Sequence, residues 1–102
     1  MKRIVAYVPD LMDRSKVAAA AAADDVTFVA APADLAGKEA DLVVVDATRP
    51  GVVEAIGAVD APVIAFSKHT NREAMDAALA AGADQVLARS AFFARLDDLL
   101  RD

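Results

Sequence analysis

Short runs of β-branched and other apolar residues alternate along the chain with alanine-rich stretches of helical length. Each run is continuously apolar, which is typical of parallel strands covered by helices on both faces, so we expect the sheet to be buried. Regular alternation of strands and helices indicates βα units around one parallel sheet. The pattern predicts five strands, at residues 3–8, 26–30, 41–46, 62–66 and 85–88.

Five right-handed βα units favour a doubly wound sheet with the strand order 2-1-3-4-5. We therefore predict an α/β fold of the flavodoxin-like type, with three αβα layers and the whole chain, 1–102, in one domain. The first helix is predicted at 11–23, with Asp10 capping its first free amides. The second and third, at about 33–39 and 51–58, are short.

The fourth predicted helix carries the clearest end signals. Thr70 and Glu73 have the spacing of a capping box, and Gly82 stands where a left-handed C-terminal cap is expected. The last helix is predicted to begin after Ser90. Its core face consists of Phe92, Leu96, Leu99 and Leu100.

Composition and charge narrow the classes of function. The chain has no cysteine, which removes disulfides and thiolate chemistry, and its net charge of −5 disfavours nucleic-acid and anionic-membrane partners. The chain is 57% hydrophobic, but much of this is alanine, and no apolar run approaches the roughly 20 residues of a membrane helix. We expect a soluble, cytoplasmic protein.

Polar residues follow the strands at the edge of the sheet where ligands of such folds gather. Asp10 follows the first strand, Asp46 and Thr48 the third, Ser67 the fourth and Arg89 the fifth. Two carboxylates brought together repel each other unless a cation lies between them, and Mg²⁺ prefers oxygen ligands. Asp10, Asp46 and Thr48 are the candidate metal ligands, and Asp46 could also attack phosphorus as a nucleophile.

Two other interpretations of these side chains remain open. Arg89 could pair with Asp46 or Asp10 and close the site without a metal. Lys68 also follows the fourth strand, and the lone His69 beside it is more simply a surface residue than a metal ligand, because no second histidine is present.

Three separated segments resemble the receiver domain of bacterial response regulators, the CheY-like family. They are "DATRPG", "PVIAFSKHT" and "AAGADQVLARS". The resemblance implies that Asp46 is at the phosphoacceptor position and that Ser67 is at the hydroxyl position that senses the phosphoryl group. It also puts Arg89 at the place of the family's lysine and Ser90 at the place of its proline.

The sequence departs from the family at the metal site and at the switch. Pro9 and Asp10 stand where receivers carry two acidic residues, and Asp13, one helical turn further on, is a poor match for the missing one. Arg89 keeps the charge of the family's lysine but not its shape. Val86 lies where many receivers have an aromatic switch residue. We therefore expect an atypical, degenerate receiver that is not an enzyme, with magnesium binding weak or lost.

The leading hypothesis is a pseudo-receiver that acts in signal transduction or regulation through protein contacts, without efficient phosphotransfer. The expected partners are a histidine kinase or an output protein, and the resemblance implies a homodimer through helix 4, strand 5 and helix 5. One alternative is a magnesium-dependent response regulator phosphorylated on Asp46. The other is a minimal or engineered scaffold with no ligand.

Overall fold

A parallel five-stranded sheet organises the chain, which the computed structural model describes at residues 2–68 and 71–101. The strand order is β2-β1-β3-β4-β5, so the predicted doubly wound α/β topology is confirmed. Every strand lies within one or two residues of its predicted position. The strands are β1 (Arg3–Tyr7), β2 (Asp25–Phe28), β3 (Leu42–Asp46), β4 (Val63–Ser67) and β5 (Gln85–Ala88).

Three predicted helices differ in the structure. The first ends at Ala20, three residues before its predicted end. The second is only a 3₁₀ turn, Pro32–Leu35, after which Gly37 adopts a left-handed φ of 77° that does not continue a helix. The C-terminal helix is divided at Arg95, where φ is −110° and ψ is 13°. The helices are α1 (Leu11–Ala20), α2 (Val52–Ile56), α3 (Arg72–Ala81), α4 (Arg89–Ala94) and α5 (Leu96–Arg101).

Both faces of the sheet are covered, which gives the three αβα layers that the sequence predicts. Alternate side chains of the central strands point to opposite faces and join two separate clusters. One cluster contains Phe66 and Phe92, whose rings stack with centroids 4.6 Å apart, together with the buried side chains of α1, α4 and α5. The other packs the opposite face against the 3₁₀ turn, α2 and α3.

The expectation that the whole sheet is buried was wrong at its edges. All residues of β3 and β4 are buried, whereas the outer strands β2 and β5 contain exposed and half-buried positions. An edge strand has a neighbour on one side only, so helices cover it incompletely. The buried centre therefore lies in β1, β3 and β4.

The cap of α3 also differs from the prediction. Asn71 is the N-cap, and its side chain accepts a hydrogen bond from the amide of Ala74. Thr70, the predicted cap, and His69 lie outside the described residues. Gly82 has a left-handed φ of 119°, which confirms the predicted C-terminal cap. Within residues 2–68 and 71–101, no helix is long and apolar enough to cross a membrane.

Candidate functional site

A cleft of about 220 Å³ lies at the carboxyl edge of the sheet, beside the point where strand order reverses between β1 and β3. Every residue predicted for the site from the sequence lines this cleft. The lining residues are Asp10, Asp13, Asp46, Thr48, Arg49, Phe66, Ser67, Lys68 and Arg89. The structure therefore brings the candidate residues together.

Strand register explains why these residues converge. Asp46 at the end of β3 pairs with Phe66 of β4, so Ser67 is the next residue along the neighbouring strand. Ser67 in turn pairs with Ala88 of β5, and Arg89 follows directly at the start of α4. Parallel strands in register deliver their terminal residues to the same edge.

Asp46 is the buried carboxylate at the floor of the cleft, with only 5% of its surface exposed. Its Oδ1 accepts hydrogen bonds from the backbone amide of Thr48 at 3.0 Å and from the Thr48 hydroxyl at 2.5 Å. Its Oδ2 lies 3.6 Å from Nε of Arg49. One carboxylate oxygen is thus engaged by the following turn, and the other faces a cation.

Among the acids of residues 2–68 and 71–101, Asp13 is the most deeply buried, at 1% exposure, and it holds Arg89 through a bidentate ion pair. Nη1 of Arg89 donates to Oδ2 of Asp13 at 2.5 Å, and Nη2 donates to Oδ1. These hydrogen bonds raise the pKa of Arg89 above its usual value, against a smaller lowering by burial. The guanidinium also lies 5.0 Å from the ring centroid of Phe93.

The predicted pairing of Arg89 with Asp46 or Asp10 was therefore wrong, because its partner is Asp13. Asp10 is turned toward the amides of α1 and Asp46 toward Thr48, whereas Asp13 lies one turn further along α1 and is buried. The spacing of Asp10 and Asp13 was visible in the sequence. Only packing shows that the second acid points inward.

Asp10 caps α1 as predicted. Its Oδ1 accepts hydrogen bonds from the amides of Met12 at 2.9 Å and Asp13 at 3.0 Å. The bond from Asp13 is the largest cause that holds the pKa of Asp10 below its usual value of 3.8, and the charges of Arg89 and Arg49 act in the same direction. Asp10 is thus an ionised cap at the rim of the cleft.

Comparison with known proteins gives a fold but no close relative. No protein-family model and no curated protein matches the chain. Among solved structures, a response regulator from Hahella chejuensis superposes with a TM-score of 0.84 at 18% identity, covering 99% of this chain and 93% of that one. The chain has the receiver-domain fold.

Two further receiver folds are similar over almost their full length. The chemotaxis response regulator CheY4 of Vibrio cholerae has a TM-score of 0.80 at 20% identity, covering 99% of this chain and 97% of that one. The receiver domain of the sensor histidine kinase PA1611 from Pseudomonas aeruginosa has a TM-score of 0.78 at 19% identity, with 98% and 94% covered. That structure has a magnesium ion coordinated in its active-site cleft.

The acids that line the cleft all have partners within the protein. Oδ1 of Asp10 and Oδ1 of Asp46 both accept hydrogen bonds from the protein, and Asp13 is neutralised by Arg89. No group of three histidine, cysteine or acidic side chains is placed to hold a metal within residues 2–68 and 71–101. One oxygen of Asp10, one oxygen of Asp46 and both oxygens of Asp13 are thus already engaged by protein donors.

Ser67, the last residue of β4, has unusual surroundings. The side chain is fully buried, yet Oγ has no hydrogen-bond partner among the described residues. Buried hydroxyls are normally hydrogen-bonded, so this atom has an unused donor and acceptor at the wall of the cleft.

The buried ion pair should stabilise the fold measurably. We expect Asp13→Asn and Arg89→Gln each to lower the free energy of unfolding, and Arg89→Gln to do so more, because it leaves a buried carboxylate uncompensated. The double variant should lose less than the sum, with a coupling of about 1–2 kcal/mol after allowing for the partial exposure of Arg89. Urea denaturation measures all three, and strictly additive losses would contradict the pair.

Asp98 and Arg101 on α5 supply a matched control, because both side chains of this ion pair are exposed. Asp98→Asn should change the free energy of unfolding by no more than about 0.5 kcal/mol.

The cap at Asp10 should contribute to the fall in the free energy of unfolding at acid pH. Because folding lowers its pKa, its stabilising effect is complete above about pH 4 and is lost as pH falls through the lower folded value. Asp10→Asn keeps a capping oxygen but does not titrate. The urea midpoint of this variant should therefore fall less than that of the unsubstituted protein between about pH 5 and about pH 2.5. Parallel curves for the two proteins would show that Asp10 contributes nothing there.

Proposed function

We propose that the chain is an atypical receiver domain that acts in signal transduction or regulation through protein contacts, without efficient phosphotransfer. The observation that supports this most is the bidentate pair between Arg89 and the buried Asp13. A cation already balances the buried acid, so the cleft lacks the excess negative charge that attracts a metal ion.

The ion pair bears on phosphotransfer because transfer of a phosphoryl group needs positive charge at the acceptor. A phosphoryl group moving onto Asp46 would add negative charge beside a carboxylate, and such transfers rely on metal ions or fixed cations to stabilise that charge. Pro9 supplies no carboxylate, and Asp10 is engaged as a helix cap. We therefore do not infer magnesium binding by this chain from the magnesium ion of the PA1611 receiver domain.

One observation favours the alternative, a magnesium-dependent phosphoacceptor. Asp46 is at the floor of the cleft, and the unpartnered Ser67 hydroxyl is beside it. An acyl phosphate on Asp46 would bring oxygens to that hydroxyl. The two functions differ in whether the cleft binds magnesium together with a phosphoryl mimic.

Beryllofluoride with magnesium separates these functions. We expect no saturable change in the amide NMR signals of Asp46, Ser67 and Arg89 at millimolar magnesium, because Arg89 and Asp13 neutralise each other. Pro9→Asp combined with Arg89→Lys supplies the acid and the compact cation that the resemblance implies, and this variant should gain a saturable response. Saturable shifts in the natural chain that disappear in Asp46→Ala would establish the phosphoacceptor instead.

We propose that the partner surface consists of α3, β5 and the two C-terminal helices, α4 and α5, and that it supports a homodimer or contact with a histidine kinase or output protein. Leu79 of α3 is 56% exposed, one of three large hydrophobic side chains with high exposure among the described residues. A leucine on a protein surface is favourable where a partner removes it from water.

Substitution of Leu79 tests this surface. If the chain dimerises there, Leu79→Asp should shift the sedimentation profile to monomer at concentrations where the natural chain is dimeric, because a charge would be buried at the contact. Leu11→Asp is the control, since Leu11 is 74% exposed but lies on α1. If the unsubstituted chain sediments as a monomer, the partner of this surface is a different protein. If it sediments as a dimer that Leu79→Asp does not change, this surface is excluded for self-association.

A further inference from the structure

A second concave surface, an open groove of about 450 Å³, lies between the 3₁₀ turn and α2. Its walls consist of five alanines, two prolines and a glycine, with Glu54 as the charged residue among those that line it. The groove shares no lining residue with the cleft at the carboxyl edge of the sheet, and none with α3, β5, α4 or α5. It is therefore separate from both surfaces described above.

Small side chains produce this groove. Ala33 and Ala36 on one wall and Ala55 on the other end at Cβ, so the space between the walls stays open. The two elements come close at the base, where Cγ of Pro32 lies only 3.6 Å from the place that a Cβ atom on Gly51 would occupy. Because Ala33 and Ala36 are exposed, the apolar wall faces solvent.

The walls have little capacity for hydrogen bonds. Pro32 and Pro50 have no backbone N–H, and alanine side chains have no polar atom. No strand edge borders the groove, since its walls are the 3₁₀ turn, α2 and the residues beside them, so an extended peptide could not add to the sheet there. A ligand would gain chiefly by removing apolar surface from water, as the apolar face of a helix does in a groove.

The segment that forms the groove carries most of the net negative charge of the chain. Residues 31–60 contain six acidic and two basic residues, a net charge of −4 out of −5. Glu54 and Asp34 are exposed, and neither has an ion pair with another described residue. The two basic residues, Lys38 and Arg49, do not line the groove. An apolar groove on an acidic segment is complementary to a basic, amphipathic partner.

We propose that this groove binds an amphipathic helical segment of another protein, with large apolar side chains on one face and lysine or arginine beside them. The apolar face packs against the alanine and proline walls, and the basic side chains pair with Glu54 and Asp34. A second copy of this chain is a poor occupant, because a two-fold contact would place Glu54 opposite itself and each copy carries a net charge of −5. The inference goes beyond the proposed function, since it adds a second contact surface and the class of partner that fits it.

A synthetic helical peptide tests the groove on the full chain. The probe has leucines along one helix face and lysines at the other positions. One control peptide has glutamates in place of the lysines, and another has the same composition with the leucines spread around the helix. We expect saturable amide NMR shifts at Ala33, Gly51 and Ala55 with the lysine probe and none with either control. Absence of saturable shifts with the lysine probe, or equal shifts with all three peptides, would overturn the proposal.

Salt gives a second measurement with the same probe. Its affinity should fall severalfold between about 50 mM and about 300 mM salt, because exposed charges are screened over a shorter distance as the salt concentration rises. Affinity that does not change with salt would overturn the assignment of a basic partner.

Two substitutions locate the binding site. Ala36→Gln puts a polar side chain into the groove without changing the charge, and it should weaken binding of the lysine probe about tenfold. The backbone of Ala36 is extended, with φ −65° and ψ 137°, which glutamine adopts without strain. Glu54→Gln should weaken binding about threefold, as expected for an exposed ion pair. Ala58→Gln gives a second variant of the groove if Ala36→Gln fails to fold.

Each substitution has a matched control. Ala18→Gln on α1 and Glu73→Gln on α3 make the same chemical changes at exposed positions outside the groove, and they should leave probe binding unchanged. Equal weakening in Glu54→Gln and Glu73→Gln would reduce the effect to net charge and overturn the site. Equal weakening in Ala36→Gln and Ala18→Gln would do the same for the apolar wall.

The partner surface that contains Leu79 is distinguished by the same probe. Leu79→Asp should keep probe binding, whereas loss of binding in Leu79→Asp together with its retention in Ala36→Gln would place the peptide on α3 and overturn the groove. Sedimentation checks the other occupant. A dimer of the unsubstituted chain that Ala36→Gln dissociates would make a second copy the occupant and overturn the proposed basic partner.

Discussion

Burial of β3 on both faces is the constraint on which the rest of the structure depends. Its side chains alternate between two separate cores, so a shift of one residue in register would exchange the two faces and disrupt both. The register with β1 and β4 is fixed in this way, and the polar end of the strand must lie at the switch point of the sheet. Asp46 is part of the site because of where β3 is held.

The ion pair between Asp13 and Arg89 decides the electrostatics of that site. The guanidinium of Arg89 forms a bidentate ion pair with the buried carboxylate of Asp13 and so neutralises one negative charge of the cleft. Arg89, the cation expected at the end of β5, is thereby engaged. Of the other cations that line the cleft, Arg49 lies 3.6 Å from Asp46 and Lys68 directly follows Ser67 along the chain.

The fold was predictable because its signals are local and repeated. Five apolar runs separated by helical stretches have few alternatives to a parallel doubly wound sheet, and Gly82 marked the end of α3 by its conformational freedom. The weaker signals failed where packing overrides propensity: residues 33–39 form only a short 3₁₀ turn, and the C-terminal segment is divided at Arg95. Asn71 caps α3 although Thr70 had the better motif.

The sequence by itself determined the strand order and the candidate residues at the carboxyl edge, because strand periodicity and right-handed crossovers leave one common arrangement. It did not single out Arg49, which the structure places in the same cleft. Only the tertiary structure decided the partners within that set. Asp10 and Asp13 differ by three positions on one helix, yet one caps the helix and the other is buried against Arg89. Which acid meets which cation depends on side-chain direction and depth in the packed molecule, and these are set by contacts between residues far apart in the chain.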